Sequence, residues 1–242
     1  MSNAQTIPWR RISVEAAAIV ASILLAFAID AWWGDRDSRK ELGLELASVM
    51  SELEDNRKRV ESEIALLGRI TLAGSTLLDA MSANESAITV LVPDSLAWLT
   101  TVWSPTLDAS FGAVDALVSS GRLAQVEEPA LRSGLAGIRA QFEDAVEEEL
   151  NARMVQYTLI VPLLVDKADL QVLYQYDDEY FSTVRYSDMD LPSNASVEYP
   201  NSLAIRNTIR DRMGWLRTGR DEMSRLLVDI DSLIALLQAA DK

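Results

Sequence analysis

The longest apolar run of the chain covers residues 12–33 and reads ISVEAAAIVASILLAFAIDAWW. As a helix that rises about 1.5 Å per residue, it reaches about 33 Å, which is enough to cross a hydrocarbon core of roughly 30 Å. Tryptophan and cationic side chains typically mark the two membrane interfaces of such a span. The run therefore predicts a transmembrane helix, and its interface anchors are Trp9, Arg10, Arg11, Trp32 and Trp33.

A cleaved signal peptide is the alternative interpretation of this run, because Ala26-Phe27-Ala28 has the small-x-small pattern of a cleavage site. We favour the retained span on its length and its aromatic and basic flanks. Basic residues occur on both sides of the run, so the positive-inside count is nearly balanced. We expect the N-terminus to be cytoplasmic and the rest of the chain to lie outside.

One face of the predicted span carries small residues, since Ala18, Ser22 and Ala26 recur every four positions. Small residues allow another helix to approach closely in a membrane, so we expect a helix-partner contact on this face. Glu15 lies on the same face, one turn from the interface and four residues after Arg11. Its position favours interfacial pairing or a helix contact over proton chemistry.

After the span, apolar residues recur at steps of three and four and predict amphipathic helices. The first of these helices runs from Arg36 to about Met81, continuous with the span. Its apolar face supports a coiled coil between copies or, more simply, one wall of an intramolecular bundle. The predicted face is Leu42, Leu46, Val49, Leu53, Val60, Ile64, Leu67, Thr71, Leu78 and Met81.

Two further long helices follow. One starts near Glu127 and ends at Pro162, and the other starts after Asn201. The predicted face of the first is Leu131, Leu135, Ile138, Phe142, Val146, Leu150, Met154 and Tyr157. The predicted face of the second is Ile205, Ile209, Leu216, Met223, Leu227, Ile230, Ile234 and Leu237.

Shorter elements separate the long helices. A short extended piece is expected between Asn84 and Pro93, short helices at Ser95–Trp103 and from Phe111 to Gly121, and an irregular loop at Tyr174–Tyr199. The prediction is an all-α fold, in which a transmembrane helix continues into an antiparallel bundle of three long and two short helices. Its parts are a tail (1–11), the span (12–33) and an acidic bundle domain (34–242).

Composition excludes several classes of chemistry. The chain has neither cysteine nor histidine, which removes thiolate nucleophiles, Cys- and His-ligated metals and Ser-His-Asp arrangements. We therefore expect no enzyme and no cofactor. The net charge of −15 disfavours nucleic acid and keeps the domain soluble or attracts a basic partner.

Charged and aromatic clusters offer candidate sites, each with a simpler structural interpretation. The run Glu143, Asp144, Glu147, Glu148 and Glu149 is expected to be a solvated face. The acids Asp177, Asp178, Glu179, Asp188 and Asp190 could gather around calcium, although their spacing matches no EF-hand loop. Arg206, Arg210, Arg217 and Arg220 could bind an anion, but pairing with neighbouring acids such as Glu143–Glu149 is favoured. Trp98, Trp103 and Trp215 are expected in the core.

Three passages together resemble a family of bacterial single-pass membrane proteins of unknown function. They are IPWRRISVEAAAIVASILLAFAIDAWW, SPTLDASFGAVDALVSSGRLAQVEEPALRSGLAG and SLAIRNTIRDRMGWLR. The resemblance rests on an ILLAF-x-ID-x-WW-like anchor and an L-x-SSG-x-L turn. It implies a bacterial inner-membrane location with a helical periplasmic domain, and it brings no catalytic residues.

These observations lead to an expected function. The chain is predicted to be a non-catalytic, membrane-anchored accessory subunit of a larger membrane-protein complex, of which respiratory and photosynthetic complexes are one class. Its partners would be other membrane subunits and the bilayer, with self-association through the long N-terminal helix as a further option. An extracytoplasmic sensor or ligand-binding module is the alternative, and it would require a pocket with convergent polar groups.

Overall fold

The computed structural model describes residues 9–104, 106–174 and 195–240, with only the backbone described for residues 9–14 and 16. The fold is all-α, as predicted. Its helices are α1 (Trp9–Ala83), α2 (Asp94–Thr101), α3 (Gly112–Ser119), α4 (Pro129–Val155), α5 (Val161–Leu164) and α6 (Leu203–Ala240). A 3₁₀ turn covers Arg122–Gln125, a π-helical turn covers Gln156–Ile160, and residues 170–174 are helical. The strands are β1 (Thr89–Pro93) and β2 (Ser196–Pro200).

The chain divides into two compact units, the first ending at Ser48 and the second beginning at Val49. In the first unit, every residue from Ala17 to Asp37 is exposed. Across the described chain, α1 is the helix that is long and apolar enough, by length and composition, to cross a membrane, and none of its apolar window is buried.

The second unit contains α1 from Val49 onward, α4 and α6. Along each of these helices one series of buried positions recurs at alternating steps of three and four residues, and neighbours such as Leu66, Ala73 and Met213 are buried beside it. This spacing is that of coiled-coil-like packing, in which each buried side chain fits between side chains of the facing helix. The buried face of α1 is Val49, Leu53, Asn56, Val60, Glu63, Leu67, Ile70, Gly74, Leu77 and Met81. That of α4 and the π turn is Leu131, Leu135, Ile138, Phe142, Ala145, Glu149, Ala152 and Gln156. That of α6 is Ile205, Ile209, Arg212, Leu216, Gly219, Met223, Leu226, Ile230, Leu233 and Leu237.

Helix directions follow from specific contacts. α6 runs antiparallel to α1, because Arg57 pairs with Asp231 at 2.6 Å while Asn201, just before α6, bonds the carbonyl of Met81. α6 is also antiparallel to α4, since Gly134 lies against Leu233 and Gly219 lies against Glu148. Consequently α1 and α4 are parallel within this unit, and the segment between them must return along the bundle.

The sequence pattern misplaced the inward face of α4 beyond Phe142. Leu150, Met154 and Tyr157 were expected to be buried, but they are 50%, 60% and 56% exposed. The inward face instead runs through Ala145 and Glu149. On α6 the buried residues are Leu226 and Leu233, one position before the predicted Leu227 and Ile234.

A two-stranded sheet corrects the prediction of an irregular loop up to Tyr199. β2 pairs antiparallel with β1, with Val90 opposite Tyr199 and Val92 opposite Val197. Val90, Val92 and Tyr199 are buried, so one face of the pair covers the core. The predicted extended piece before Pro93 is confirmed as β1.

The predicted helix up to Pro162 loses its α-helical register at Val155. Proline has no N–H, and its ring clashes with the carbonyl four residues earlier in a regular helix. The wider π turn at Gln156–Ile160 precedes the short helix α5, which contains Pro162. A π turn of this kind is frequent at functional positions.

Candidate functional site

A loop of residues 106–111, here the bridging loop, lies between α2 and α3 and is bonded to one face of α1. The Asn56 side chain donates to the Ser110 carbonyl at 2.6 Å and accepts from the Ser110 N–H at 3.0 Å. One turn along, Arg59 Nη1 donates to the Asp108 carbonyl at 2.8 Å. These contacts fix the bridging loop over the face of α1 that continues to Glu63, because residues three and four apart share a helix face.

The other side of the bridging loop is bonded to α4. The buried Leu107 N–H donates to Glu149 Oε2 at 3.1 Å, and the Arg153 guanidinium donates to Thr106 Oγ1. Arg153 lies one turn after Glu149 on the same face of α4. The loop therefore spans from α1 to α4 at the level of the two glutamates Glu63 and Glu149.

The carboxyl groups of Glu63 and Glu149 lie inside the second unit, within hydrogen-bonding reach of each other. They are 7% and 3% exposed. Burial, followed by the charge of Glu149, raises the pKa of Glu63 from 4.5 to about 9. Burial also raises the pKa of Glu149 to about 7, against the lowering effect of the Leu107 N–H and of Arg153. Two carboxylates this close cannot both stay charged at neutral pH at low cost.

A single proton satisfies this pair. As two carboxylates, the Oε1 atoms of Glu63 and Glu149 would both lack a donor. The hydrogen bond between the side chains raises the pKa of Glu63 and lowers that of Glu149. At neutral pH, Glu63 therefore carries the proton and donates it to the Glu149 carboxylate, whose Oε2 already accepts from Leu107. The sharing of one proton between two carboxyl groups is typical of such pairs.

A cleft of about 220 Å³ opens beside Glu63. Its α1 wall is Arg59, Ser62, Glu63 and Leu66, and its other wall is the bridging-loop segment Thr106–Asp108. The cleft thus combines the apolar surfaces of two leucines with several polar groups. It is smaller than the roughly 300–1,000 Å³ pockets that hold drug-sized molecules.

A second polar cluster lies deeper, around the fully buried Arg212 of α6. Its guanidinium donates to the carbonyls of Thr100 and Trp103 and, at 3.0 Å, to Gln156 Oε1. Gln156 in turn donates to the Val102 carbonyl. Burial lowers the Arg212 pKa to about 10, so the group remains cationic at neutral pH. A cation at the carbonyl end of α2 satisfies acceptors that the helix leaves open.

The predicted membrane-facing residues are exposed wherever their side chains are described. Glu15, Ala18, Ser22 and Ala26 are exposed, and the Ser22 hydroxyl donates to the Ala18 carbonyl at 2.8 Å. Trp32 and Trp33 are 54% and 58% exposed, with Arg36 above the Trp32 ring at 5.7 Å. The side chains of Trp9, Arg10 and Arg11 lie outside the described residues.

The remaining candidates have mixed outcomes. Trp98 and Trp103 lie in the core as predicted, whereas Trp215 is 37% exposed and that prediction is wrong. The acid run is not wholly a solvated face, because Glu149 is buried. Arg206 pairs with Glu85 at 3.1 Å and Arg220 with Asp221 at 3.9 Å. The candidate calcium ligands from Asp177 to Asp190 lie outside the described residues, and no group of three acidic, His or Cys residues within the described ranges could hold a metal ion.

The buried polar residues could have been found in the sequence by their spacing, although a search for apolar residues alone does not find them. Asn56 and Glu63 occupy positions where the three-and-four spacing of α1 continues, and Glu149 and Gln156 do so on α4. Arg212 has the same place on α6. A polar residue at such a position must be buried with a partner, so these positions identify the site.

Comparison with known proteins adds no assignment. No protein-family model, no curated protein and no solved structure matches this chain.

Proposed function

We propose that this protein is a non-catalytic, membrane-anchored accessory subunit that docks on a larger membrane-protein complex. The observation that carries the proposal is the exposure of the whole apolar stretch from Ala17 to Trp33. Its side chains include Leu24, Leu25 and Phe27 at 63%, 63% and 68% exposure. So much uncovered apolar surface is costly in water, and lipid or another helix would remove that cost.

The face at Ala18, Ser22 and Ala26 is the part of this stretch best suited to a protein partner. Ser22 satisfies its hydroxyl on the Ala18 carbonyl, so the face has no unbonded hydroxyl to place in lipid. Small side chains permit the close helix approach on which association within a membrane depends. Other membrane subunits, those of respiratory or photosynthetic complexes among them, or a second copy of this chain would offer such a helix.

The proposed arrangement has the N-terminus in the cytoplasm of a bacterial cell and the second unit in the periplasm. Trp32, Trp33 and Arg36 would lie at the outer interface, where amphipathic rings and cations are favoured. Leu150 and Met154 on α4 and Tyr157 in the π turn are exposed and give the second unit an apolar strip that a partner could also cover. The charge of −15 argues against nucleic acid as that partner.

Blue-native electrophoresis of gently solubilised membranes tests the proposal. The wild-type chain should migrate in a species much larger than itself, and Ala18→Leu or Ser22→Leu should release it while leaving it in the membrane fraction. Ala17→Leu is the matched control, because it adds the same bulk on the other side of the helix. Migration of the wild type as a small lone species would contradict the proposal. Unchanged migration of both test variants would mean that the small-residue face is not the surface that contacts the partner.

A ligand-binding module is the second candidate function. The observation that favours it is the cleft beside Glu63, whose walls bring charged, hydroxyl and apolar groups together. Binding of a defined small molecule in that cleft would support it.

A further inference from the structure

The two ends of the bridging loop are held by different kinds of contact. At one end, the backbone of Ser110 exchanges two hydrogen bonds with the side-chain amide of Asn56, which does not titrate. At the other end, the Leu107 N–H donates to Glu149 Oε2 at 3.1 Å. Glu149 is hydrogen-bonded to Glu63, so this end of the loop is bonded directly to the buried carboxyl pair.

At neutral pH the pair holds one proton, which forms the hydrogen bond between Glu63 and Glu149. Both side chains are buried, so water does not solvate a second negative charge there. Loss of the proton leaves two carboxylates in contact, and Asp108 of the bridging loop is a third acid that acts on both. Such a concentration of charge is costly in a buried site, and the cost falls when water enters.

We propose that the Thr106–Asp108 end of the bridging loop opens when the Glu63–Glu149 pair loses its shared proton. The proton passes to water, and water then solvates both carboxylates. Opening also moves Asp108 away from the pair, because Asp108 is part of the segment that moves. The loop is thus a pH-sensitive device of the second unit, and it goes beyond the accessory-subunit proposal without depending on it.

The cleft beside Glu63 gives water a route to the pair. Its volume of about 220 Å³ lies between α1 and the loop segment that opens, so widening it displaces no helix. Burial of the Leu107 side chain and a small set of hydrogen bonds keep the segment closed. These bonds are Leu107 N–H to Glu149, Arg59 to the Asp108 carbonyl, and Arg153 to Thr106.

The groups around the pair set the direction of the pH effect. Burial raises the pKa of Glu63 to about 9 and that of Glu149 to about 7. Asp108 from the loop raises both values, and Arg153 from α4 lowers that of Glu149. The exposed Arg59 lies on the α1 wall of the cleft, and no charged group of α6 within the described residues contributes to either shift.

In the open loop, hydrated carboxyl groups return toward their ordinary pKa of 4.5. The closed state holds one proton between about pH 7 and about pH 9, and the open state holds none. Opening therefore releases one proton in this range and becomes about tenfold more favourable for each pH unit. The trend ends near pH 9, where the closed pair also loses its proton.

Hydrogen exchange of single amides in the full chain in detergent tests the proposal. The protection factor, which is the intrinsic exchange rate divided by the measured rate at the same pH, should fall about tenfold per pH unit for Leu107 between pH 7 and pH 9. The Ser110 amide should be more strongly protected than the Leu107 amide throughout. In Glu63→Gln the Leu107 amide should lose this pH dependence, whereas Glu147→Gln, a change at an exposed acid, should keep the wild-type slope.

Low concentrations of urea separate opening of the loop from unfolding of the whole unit. Opening a short segment exposes little surface, so the Leu107 protection factor should not change with urea, while that of the Leu216 amide in the middle of α6 should fall. Equal urea dependence of both amides would mean that pH acts only through global unfolding. Constant Leu107 protection from pH 7 to pH 9, equal protection of Ser110, or an unchanged slope in Glu63→Gln would also overturn the proposal. The wild-type pH and urea series decide the question even if the glutamine variant does not fold.

Discussion

Glu63 of α1 and Glu149 of α4 share a proton inside the helical unit, and the Leu107 N–H of the bridging loop donates to the same carboxyl group of Glu149. Two parallel helices and the loop that joins their faces thus meet at one ionisable pair. The pair ties the stability of the fold to pH, because its protonation differs between the folded and unfolded states.

The pH dependence of stability provides the first prediction. Both folded-state pKa values, about 9 for Glu63 and about 7 for Glu149, lie above the value of 4.5 that applies to the unfolded chain. Between these limits the folded state binds more protons, so the contribution of the pair is fully present below about pH 4.5 and is lost as pH rises toward 9. Thermal unfolding of the full chain in detergent should show a falling Tm from about pH 5 to about pH 9.

Glu63→Gln should flatten this profile. The neutral amide keeps the shape of the acid and donates to the Glu149 carboxylate at every pH. The variant therefore has no proton at position 63 to lose as the pH rises. At about pH 8 the variant should be more stable than the wild type, while Glu147→Gln should keep the wild-type slope. A Glu63→Gln profile as steep as that of the wild type would show that other groups cause the pH dependence.

Arg212 provides the second prediction. Its guanidinium bonds two carbonyls near the end of α2 and the Gln156 side chain, all away from water. Arg212→Met should lower the free energy of unfolding by roughly 3–5 kcal/mol, because it leaves several buried acceptors without donors. Arg217→Met, on an exposed position of the same helix, should change it by less than about 0.5 kcal/mol. Urea unfolding followed by circular dichroism measures both values, and similar values would contradict a bonding role for Arg212.

Two glycines three residues apart on α4 provide the third prediction. A Cβ at Gly134 would come within 2.5 Å of Leu233 Cδ2, whereas one at Gly137 would meet nothing within 4 Å. Gly134→Ala should therefore destabilise the unit by about 1–3 kcal/mol through overpacking against α6. Gly137→Ala should stabilise it by up to about 1 kcal/mol, because alanine favours the helix. Chemical denaturation of the two variants should give shifts of opposite sign, and two stabilising shifts would mean that α4 and α6 are not in this close contact.

Asn201 provides the fourth prediction. Its side chain donates to the carbonyls of Met81 and Asn84 at 3.0 Å and 2.9 Å, where α1 ends, and its oxygen accepts from Arg206 at 2.9 Å. Asn201→Asp retains the size but cannot donate to the carbonyls, so it should cost about 1–3 kcal/mol, as should Asn201→Ala. Asn207→Ala, on an exposed position of α6, is the control. Hydrogen exchange at residues 81–84 should accelerate in the Asn201 variants alone, and unchanged exchange would mean that this end of α1 is held by other contacts.

The long helices and the apolar N-terminal stretch could be predicted from the sequence because their signals are local. A helix repeats every 3.6 residues, so the spacing of apolar side chains identifies α1, α4 and α6 without knowledge of their partners. β2 was not predicted because it pairs with β1, which is distant in the sequence. The stability of a two-stranded pair depends on both strands, so neither can be identified from its own residues alone. The acid run was misinterpreted at Glu149 because five acids in seven positions indicate a solvated face.

Only the tertiary structure decided which face of α4 points inward. Beyond Phe142, α4 has two sets of residues at helical spacing, and either set could face inward. The first is Val146, Leu150 and Met154, and the second is Ala145, Glu149 and Ala152. Gly219 of α6 comes close to Ala145 and Glu148, with the position of a Cβ 3.2 Å from Glu148 Cβ. That approach buries the second set and brings Glu149 to Glu63. The sequence by itself determined the helices and the exposed apolar stretch, and packing between distant helices determined the carboxyl pair, because burial of an ionisable group depends on neighbours that no local pattern contains.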